Sequence, residues 1–477
     1  MGTRVSVEQH RDDVERLLAG LVGSGSPGDG ADGGPSRPTG AHAEAVTVAE
    51  ALGRVLAADV AAPGPLPRFR NSQMDGFAVR AADVAEASAG TPVMLPVAGE
   101  VAARPGRPEP LAPGTAVRIM TGAPVPEGAD AVVPVEDTDL GTFNRTGGRP
   151  PTARTGRESP LVTAGAGPGD ESVATDTVRI RVPRAAGDFV REAGSDVATA
   201  DLVLRAGTVL APHHLAAAAA CGIGELPVRR RVRVSIVSTG SELVAPGEPA
   251  GPGQIWDANA VALAAAVRSA GGVVVVAERV GDDEDAAREA LRRAAASADL
   301  VITSGGVSQG AHEVVKDVLT DVVFRPVAMQ PGGPQGLGRL DGTPVLTFPG
   351  NPVSTQVSFV VFLRDVLRRA GGLPPVGEPR ATLGPEGVPA AGLTSPGGRR
   401  QFLRGRVSDG VAGDGAAGRP APAAGTSPGG ARRPVVDVVG GPGSHLVASM
   451  AAADVLIDVP ADVTRLGVGD EVTVLPL

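Results

Sequence analysis

Between residues 231 and 371 the chain alternates short β-rich runs with helical ones, and no other feature limits its possible folds as much. Runs at 232–237, 272–278, 300–303 and 345–348 are rich in Val and Ile, end at Gly or Pro turns, and read as strands. Helical patterns occupy 258–270, 283–296 and 313–319, a further segment covers 322–329, and a long helix starts at Pro352. Alternation of this kind predicts a central doubly wound parallel sheet with helices on both faces. Ligands of such sheets bind beyond the carboxyl ends of the strands, so the residues after each strand are the first place to look for chemistry.

The flanking sequence predicts a multidomain α/β plus β protein. At the N-terminal side, 1–230, Ser6 to Gln9 spells a capping box, and Val14, Leu17, Leu18 and Leu21 follow at helical spacing. Short Val-rich runs split by turns then predict a mostly β region with an inserted β domain at about 80–185. The central α/β domain spans 231–372, and a small β domain at 376–477 closes the chain. Stretches at about 23–43, 139–172 and 408–432 are rich in Gly, Pro, Ser, Thr or Ala and are expected to be disordered insertions in surface loops. The Gly23–Gly28 run spells a dinucleotide fingerprint but follows a helix rather than a strand, so it reads as linker.

Composition excludes several classes. Net charge is -9, aromatic residues make up 2% and Tyr is absent, which argues against nucleic-acid recognition by basic stripes and stacking platforms. A single cysteine, Cys221, permits neither an internal disulfide nor a Cys-based zinc cluster. No run approaches the ~20 apolar residues of a membrane span, and charged residues interrupt the first residues where a signal peptide would lie. The expected location is the cytoplasm, with no membrane partner.

Four strand ends carry turns that suit oxyanions. They are Ser238–Glu242, Gly281–Asp283, Ser304–Gly310 and Pro349–Pro352. Exposed amides in glycine turns bind phosphate-like groups, and carboxylates beside them suit Mg²⁺, which takes few carboxylates plus ligand phosphates. Gly306–Gly310 also spells the Gly-x-Ser-x-Gly nucleophile elbow. The His residues after Ser308 are His312 and His445, the first too near in sequence for the usual triad and the second in the C-terminal block; no His-Gly-Gly-Gly segment supplies an oxyanion hole. Further turn-like segments stand at 71–78 and 118–126.

Taken with 191–196, 238–246, 253–259, 299–310, 349–354 and 443–445, these segments make the chain resemble the molybdopterin molybdenumtransferase (MoeA) family, which includes the gephyrin E domain. The resemblance runs in family order over nearly the whole chain outside the linkers. It implies insertion of molybdenum into adenylylated molybdopterin, with molybdate as second substrate, Mg²⁺ as cofactor and AMP released. It also implies an adenylyltransferase-like central domain, a homodimer with a composite site, and a molybdopterin adenylyltransferase as pathway partner. The alternatives are that adenylyltransferase activity itself, or a non-catalytic molybdopterin-binding scaffold.

The family's functional acids map onto Asp75, Asp196, Glu242 and Asp282, with Thr121 as the matching hydroxyl. The metal set is expected to be Glu242, Asp282 and Glu313. Ligand contacts are expected from Ser304, Gly305, Gly306, Ser308, Lys316, Pro349, Gly350, Asn351, Pro352, Ser354, Arg404 and Ser444. Asp75 and Thr121 are expected to reach across a dimer. Where relatives carry Lys-Pro-Gly-Lys-Pro, this chain has Gln330-Pro331-Gly332-Gly333-Pro334. With those lysines absent, anion contacts are expected to rest on Lys316, Arg325, Arg400, Arg404 and backbone amides.

Overall fold

The computed structural model describes residues 4–22, 43–142, 177–307, 314–408 and 433–477. The three low-complexity stretches lie largely outside these residues, as do Ser308 and Glu313.

Helix α1 (Val7–Leu18) starts as the capping box requires: Gln9 N–H donates to Ser6 Oγ at 3.1 Å and Ser6 N–H to Gln9 Oε1 at 3.0 Å. Its buried face is Val7, His10, Val14 and Leu18, spaced by three or four residues. Full burial of Val14 and Leu18 is worth roughly 1.5–3 kcal/mol each. That face packs on the π-helical turn Phe359–Leu363 beneath the central sheet.

In the N-terminal region β1 (Ala43–Thr47) pairs antiparallel with β7 (Glu225–Arg229), and Asn71–Ser72 pairs with Val190–Arg191. The chain therefore leaves and returns side by side. Between these crossings lies a five-stranded sheet in the order β5 (Ala131–Pro134), β2 (Gly76–Val79), β4 (Ala116–Ile119), β3 (Val93–Val101) and β6 (Thr177–Ile180). Of its four-residue strands, β2, β4 and β5 bury mostly small apolar residues on both faces, which lets an almost ring-free sequence build two thin cores.

The central sheet has the order β9 (Val273–Val280), β8 (Arg233–Thr239), β10 (Leu300–Ser304), β13 (Thr343–Phe348), β12 (Pro334–Leu340) and β11 (Val322–Pro326). The first four are parallel, and α2 (Ala258–Ser269) and α3 (Glu284–Ser297) supply crossovers on opposite faces. Helix α3 buries Ala287, Ala290, Leu291, Ala294 and Ala295, a stripe of mostly small residues that brings it close enough for Ser235 Oγ to donate to Ala294 O at 3.0 Å. The wholly parallel expectation fails at the other edge, where β12 runs antiparallel to both β13 and β11. The cause is the two-residue turn Asp341-Gly342, with φ of 49° and 84°, which is the left-handed pair that closes a tight hairpin between Leu340 and Thr343. Gly336 and Gly338 on β12 face Phe324 and the Asp321 carbonyl so closely that a Cβ would not fit, which explains a strand with so few side chains.

Beyond α4 (Val314–Val318), α5 (Pro352–Ser358) and α6 (Arg364–Ala370), five strands close into a small barrel. They are β14 (Arg380–Leu383), β15 (Arg400–Ser408), β16 (Val435–Val438), β17 (Val455–Val459) and β18 (Glu471–Pro476), with β15 pairing both β16 and β17. Met329–Gln330 pairs parallel with Arg400–Gln401, which fastens the barrel to the loop between β11 and β12. Among the described residues no helix is long and apolar enough to cross a membrane.

Candidate active site

Because β8, β9, β10 and β13 are parallel, the turns that follow them share one rim. Two of these turns depend on glycine. Gly305 (φ 94°) lies against Thr239, so that a Cβ would sit 2.6 Å from its carbonyl oxygen, and Gly306 (φ 64°) lies against Val315. A Cβ on Gly350 would come within 3.3 Å of Gly305 Cα, so the turns after β10 and β13 touch. Gly305 N–H donates to Phe348 O at 3.1 Å, tying the β10 turn to β13, and Asn259 Nδ2 to Gly350 O at 2.7 Å, tying the β13 turn to α2.

These turns floor a cleft of about 920 Å³. Of the expected residues it gathers Glu242, Ser304, Gly305, Gly306, Pro349, Gly350, Asn351, Pro352, Ser354 and Ser444. The barrel reaches in through Pro442–His445, where Val353 N–H donates to Ser444 O at 3.2 Å. The opposite wall is the loop from Pro326 to Pro334, where Gln330 stands in place of one family lysine and accepts at Oε1 from Gln401 Nε2 at 3.2 Å.

Other expected residues stand elsewhere. Asp282 is exposed just beyond the cleft, tied to the β8 turn by its own N–H donating to Ser241 Oγ at 3.0 Å and by Ser241 N–H reaching Asp282 Oδ2 at 3.4 Å. Asp75 and Thr121 meet each other, the carboxylate accepting from Thr121 N–H at 2.7 Å and from its hydroxyl at 2.8 Å, but neither lines the cleft. Asp196 is exposed beside the Leu66 segment, to which its N–H donates at 3.0 Å. Lys316 sits on α4 with its ammonium 5.8 Å from the Phe324 ring centre. Ser308 and Glu313 are outside the described residues.

The arginines are distributed differently from expectation. Arg325 is committed to Asp13 and to His10 Nδ1 at 3.1 Å. Arg400 holds Asp458, with Nε to Oδ1 at 2.7 Å, and Glu8; the bond to Asp458 raises its pKa first of all. Arg404 is buried, which lowers its pKa, and donates to the carbonyls of Val439, Gly441 and Gly443, so it shapes the Gly443–His445 loop from behind. The cations that line the cleft are Arg4 and Arg399, neither with an ion pair among the described residues. Sequence reasoning passed over both. Arg4 comes there because Val5 bridges Val327, and Arg399 because Arg400 N–H donates to Ala328 O at 2.9 Å. A basic residue one step before each strand that docks on a glycine loop is the signal that would have found them.

Two carboxylates, Glu242 and Asp282, flank the Gly240-Ser241 turn, and among the described residues no cluster of three His, Cys, Asp or Glu could hold a metal by itself. That donor set fits Mg²⁺, which keeps several waters and takes one or two carboxylates together with ligand phosphates.

Comparison with known proteins agrees with this layout. Residues 5–222 match the family model of the MoeA N-terminal region (domain I and II), 235–369 that of a probable molybdopterin binding domain, and 423–477 that of the MoeA C-terminal region (domain IV). The chain is 43% identical over 441 residues to molybdopterin molybdenumtransferase 2 of Mycobacterium tuberculosis, covering 91% of this chain and 94% of that one. It is 35% identical over 343 residues to the molybdopterin molybdenumtransferase of Nostoc sp., covering 70% and 71%. The crystal structure of a molybdopterin biosynthesis MoeA protein from Pyrococcus horikosii matches over 99% of both chains with a TM-score of 0.66 at 28% identity.

Proposed function

The chain belongs to the MoeA family of molybdopterin molybdenumtransferases, and on that premise we propose that it is the transferase that inserts molybdenum into molybdopterin in molybdenum cofactor biosynthesis. The observation that carries this reading is the cleft at the carboxyl rim, within the segment that matches a molybdopterin-binding domain. In finer detail, the substrates are adenylylated molybdopterin and molybdate, and the product leaves with AMP. The reaction is placed in the cytoplasm, after a molybdopterin adenylyltransferase that supplies the substrate.

The residues present divide the work by chemistry. The glycine turns at Gly305-Gly306 and Pro349-Gly350 let a flat or phosphorylated ligand approach the backbone, with Ser304, Ser354 and Ser444 as nearby hydroxyls. Arg4 and Arg399 supply the positive charge that a tetrahedral dianion needs. Glu242 and Asp282, with Glu313 by family position, are the carboxylates that would hold Mg²⁺. Held there, such an ion would supply charge neutralisation for the pyrophosphate without any proton transfer.

A homodimer completes the site in this reading. Asp75 and Thr121 do not line their own chain's cleft, and beside Thr121 lies a second cleft of about 750 Å³ edged by Arg70, Arg104 and Arg107. These groups are proposed to face the cleft of the partner subunit. Incubating the purified chain with adenylylated molybdopterin, molybdate and Mg²⁺ tests the function. Metal insertion with stoichiometric AMP is expected; adenylylation of molybdopterin from ATP would make it the adenylyltransferase instead, and binding without turnover a scaffold.

A further inference from the structure

One wall of the cleft carries hydrogen-bonding capacity that the protein leaves unmet. It is built by Trp256, Asp257 and Asn259, at the entry to α2. Trp256 is the only tryptophan in the chain and is 57% exposed. Its indole N–H is already given to Glu248 O at 2.8 Å, so what remains for a ligand is apolar ring surface.

The two polar neighbours are the opposite case. Asp257 is 1% exposed and spends Oδ1 on the Ala260 N–H at 3.0 Å as the cap of α2. Asn259 is 8% exposed and spends its amide nitrogen on Gly350 O, which fixes the amide so that Oδ1 is the free atom. Asp257 Oδ2 and Asn259 Oδ1 have no partner in the described structure and are shielded from bulk water. A buried acceptor left unmet is costly. As unprotonated oxygens, both of these atoms can only accept.

We propose that Trp256, Asp257 and Asn259 form the subsite for the ligand's heterocycle, and that they read an aminopyrimidinone edge of the pterin type. Such an edge presents a ring N–H beside an exocyclic amine, two donors in one plane, which answers two acceptors. An adenine edge alternates donor and acceptor and would set its ring nitrogen against a carboxylate oxygen. The indole supplies the stacking surface for the flat ring. This assignment rests on the proposed function only in taking a pterin as the ring in question.

The test uses the full chain and two simple probes, 6-hydroxymethylpterin and AMP. The pterin is expected to quench the single-tryptophan emission saturably. Asp257→Asn keeps a capping oxygen but turns the free acceptor into a donor, so calorimetry should show pterin binding weakened roughly 10-fold, the scale of one charge-assisted hydrogen bond. Trp256→Ala should lose binding and Trp256→Tyr should keep most of it, with circular dichroism unchanged in all three. Unchanged pterin affinity in Asp257→Asn and Trp256→Ala, or no saturable pterin binding to the parent chain, overturns the subsite. If instead AMP binding carries the Asp257 dependence, the ring read is adenine and the pterin assignment falls. Molybdenum insertion by the parent chain is measured separately, so the subsite and the function can fail independently.

Discussion

At the scale of single residues, the cleft depends on which charges are free and which are already spent. Arg325, Arg400 and Arg404 all have protein partners, whereas Arg4 and Arg399 line the cleft with no ion pair among the described residues. Replacing either by Gln should raise the KM for molybdate roughly 10-fold, the weight of a charge-assisted contact, with little change in kcat. Steady-state kinetics at varied molybdate checks this, and Arg→Lys should recover part of the loss. Asp282→Asn is expected to lower the rate of AMP release on the order of 100-fold if it holds Mg²⁺. Its fold should survive, because the tie to Ser241 runs partly through the Asp282 backbone N–H. Near-parental activity in that variant, followed by AMP chromatography, would remove Asp282 from the metal set.

At the scale of elements, α1 is the informative case. His10 lies edge-on to Phe362, with ring centres 4.6 Å apart, and accepts from Arg325. Burial first, and the Arg325 charge second, push its pKa down to about 3 from an ordinary value near 6.5. The unfolded chain therefore binds a proton at His10 below pH ~6.5 while the folded chain does not. The resulting stability is complete above that pH and is lost as pH falls toward about 3, a term on the order of a few kcal/mol. Urea midpoints at pH 7 and pH 4.5 should differ by less in His10→Gln than in the parent. The β12–β13 hairpin gives the converse lesson. Its Asp341-Gly342 turn is the strongest short-range hairpin signal available in a sequence. In the sequence that signal is masked, because Gly332, Gly333, Gly336 and Gly338 make the preceding stretch read as loop rather than strand.

At the scale of the whole molecule, the proposed dimer is what would give Asp75 and Thr121 a place in the site. They hold one another where β2 begins and β4 ends, and neither lines the cleft of its own chain. If a dimer completes the site, an inactive Asp75→Ala chain and an inactive Glu242→Ala chain should complement each other. Co-refolding them in equal amounts should restore about a quarter of parental activity, since half of the dimers are mixed and each carries one intact site. No recovery, with mixed dimers confirmed by mass spectrometry, would place the whole site within one subunit.

The sequence by itself determined the elements and the rim. Capping residues such as Ser6 and Asp283, the small-residue stripe of α3 and the glycine turns after parallel strands are local signals, written within a few residues of where they act. Glu242, Gly305, Gly350 and Ser354 were legible for the same reason: a strand followed by a glycine turn places them. Only the tertiary structure decided which charges stay free. Arg4 and Arg399 reach the cleft because segments nearly 400 residues apart dock on one loop, and Arg400, next in sequence, turns instead to Asp458. The unmet oxygens of Asp257 and Asn259 likewise appear only once α2 is fixed against Gly350. Hydrogen-bond satisfaction is a property of packed neighbours, and no spacing in the chain encodes it.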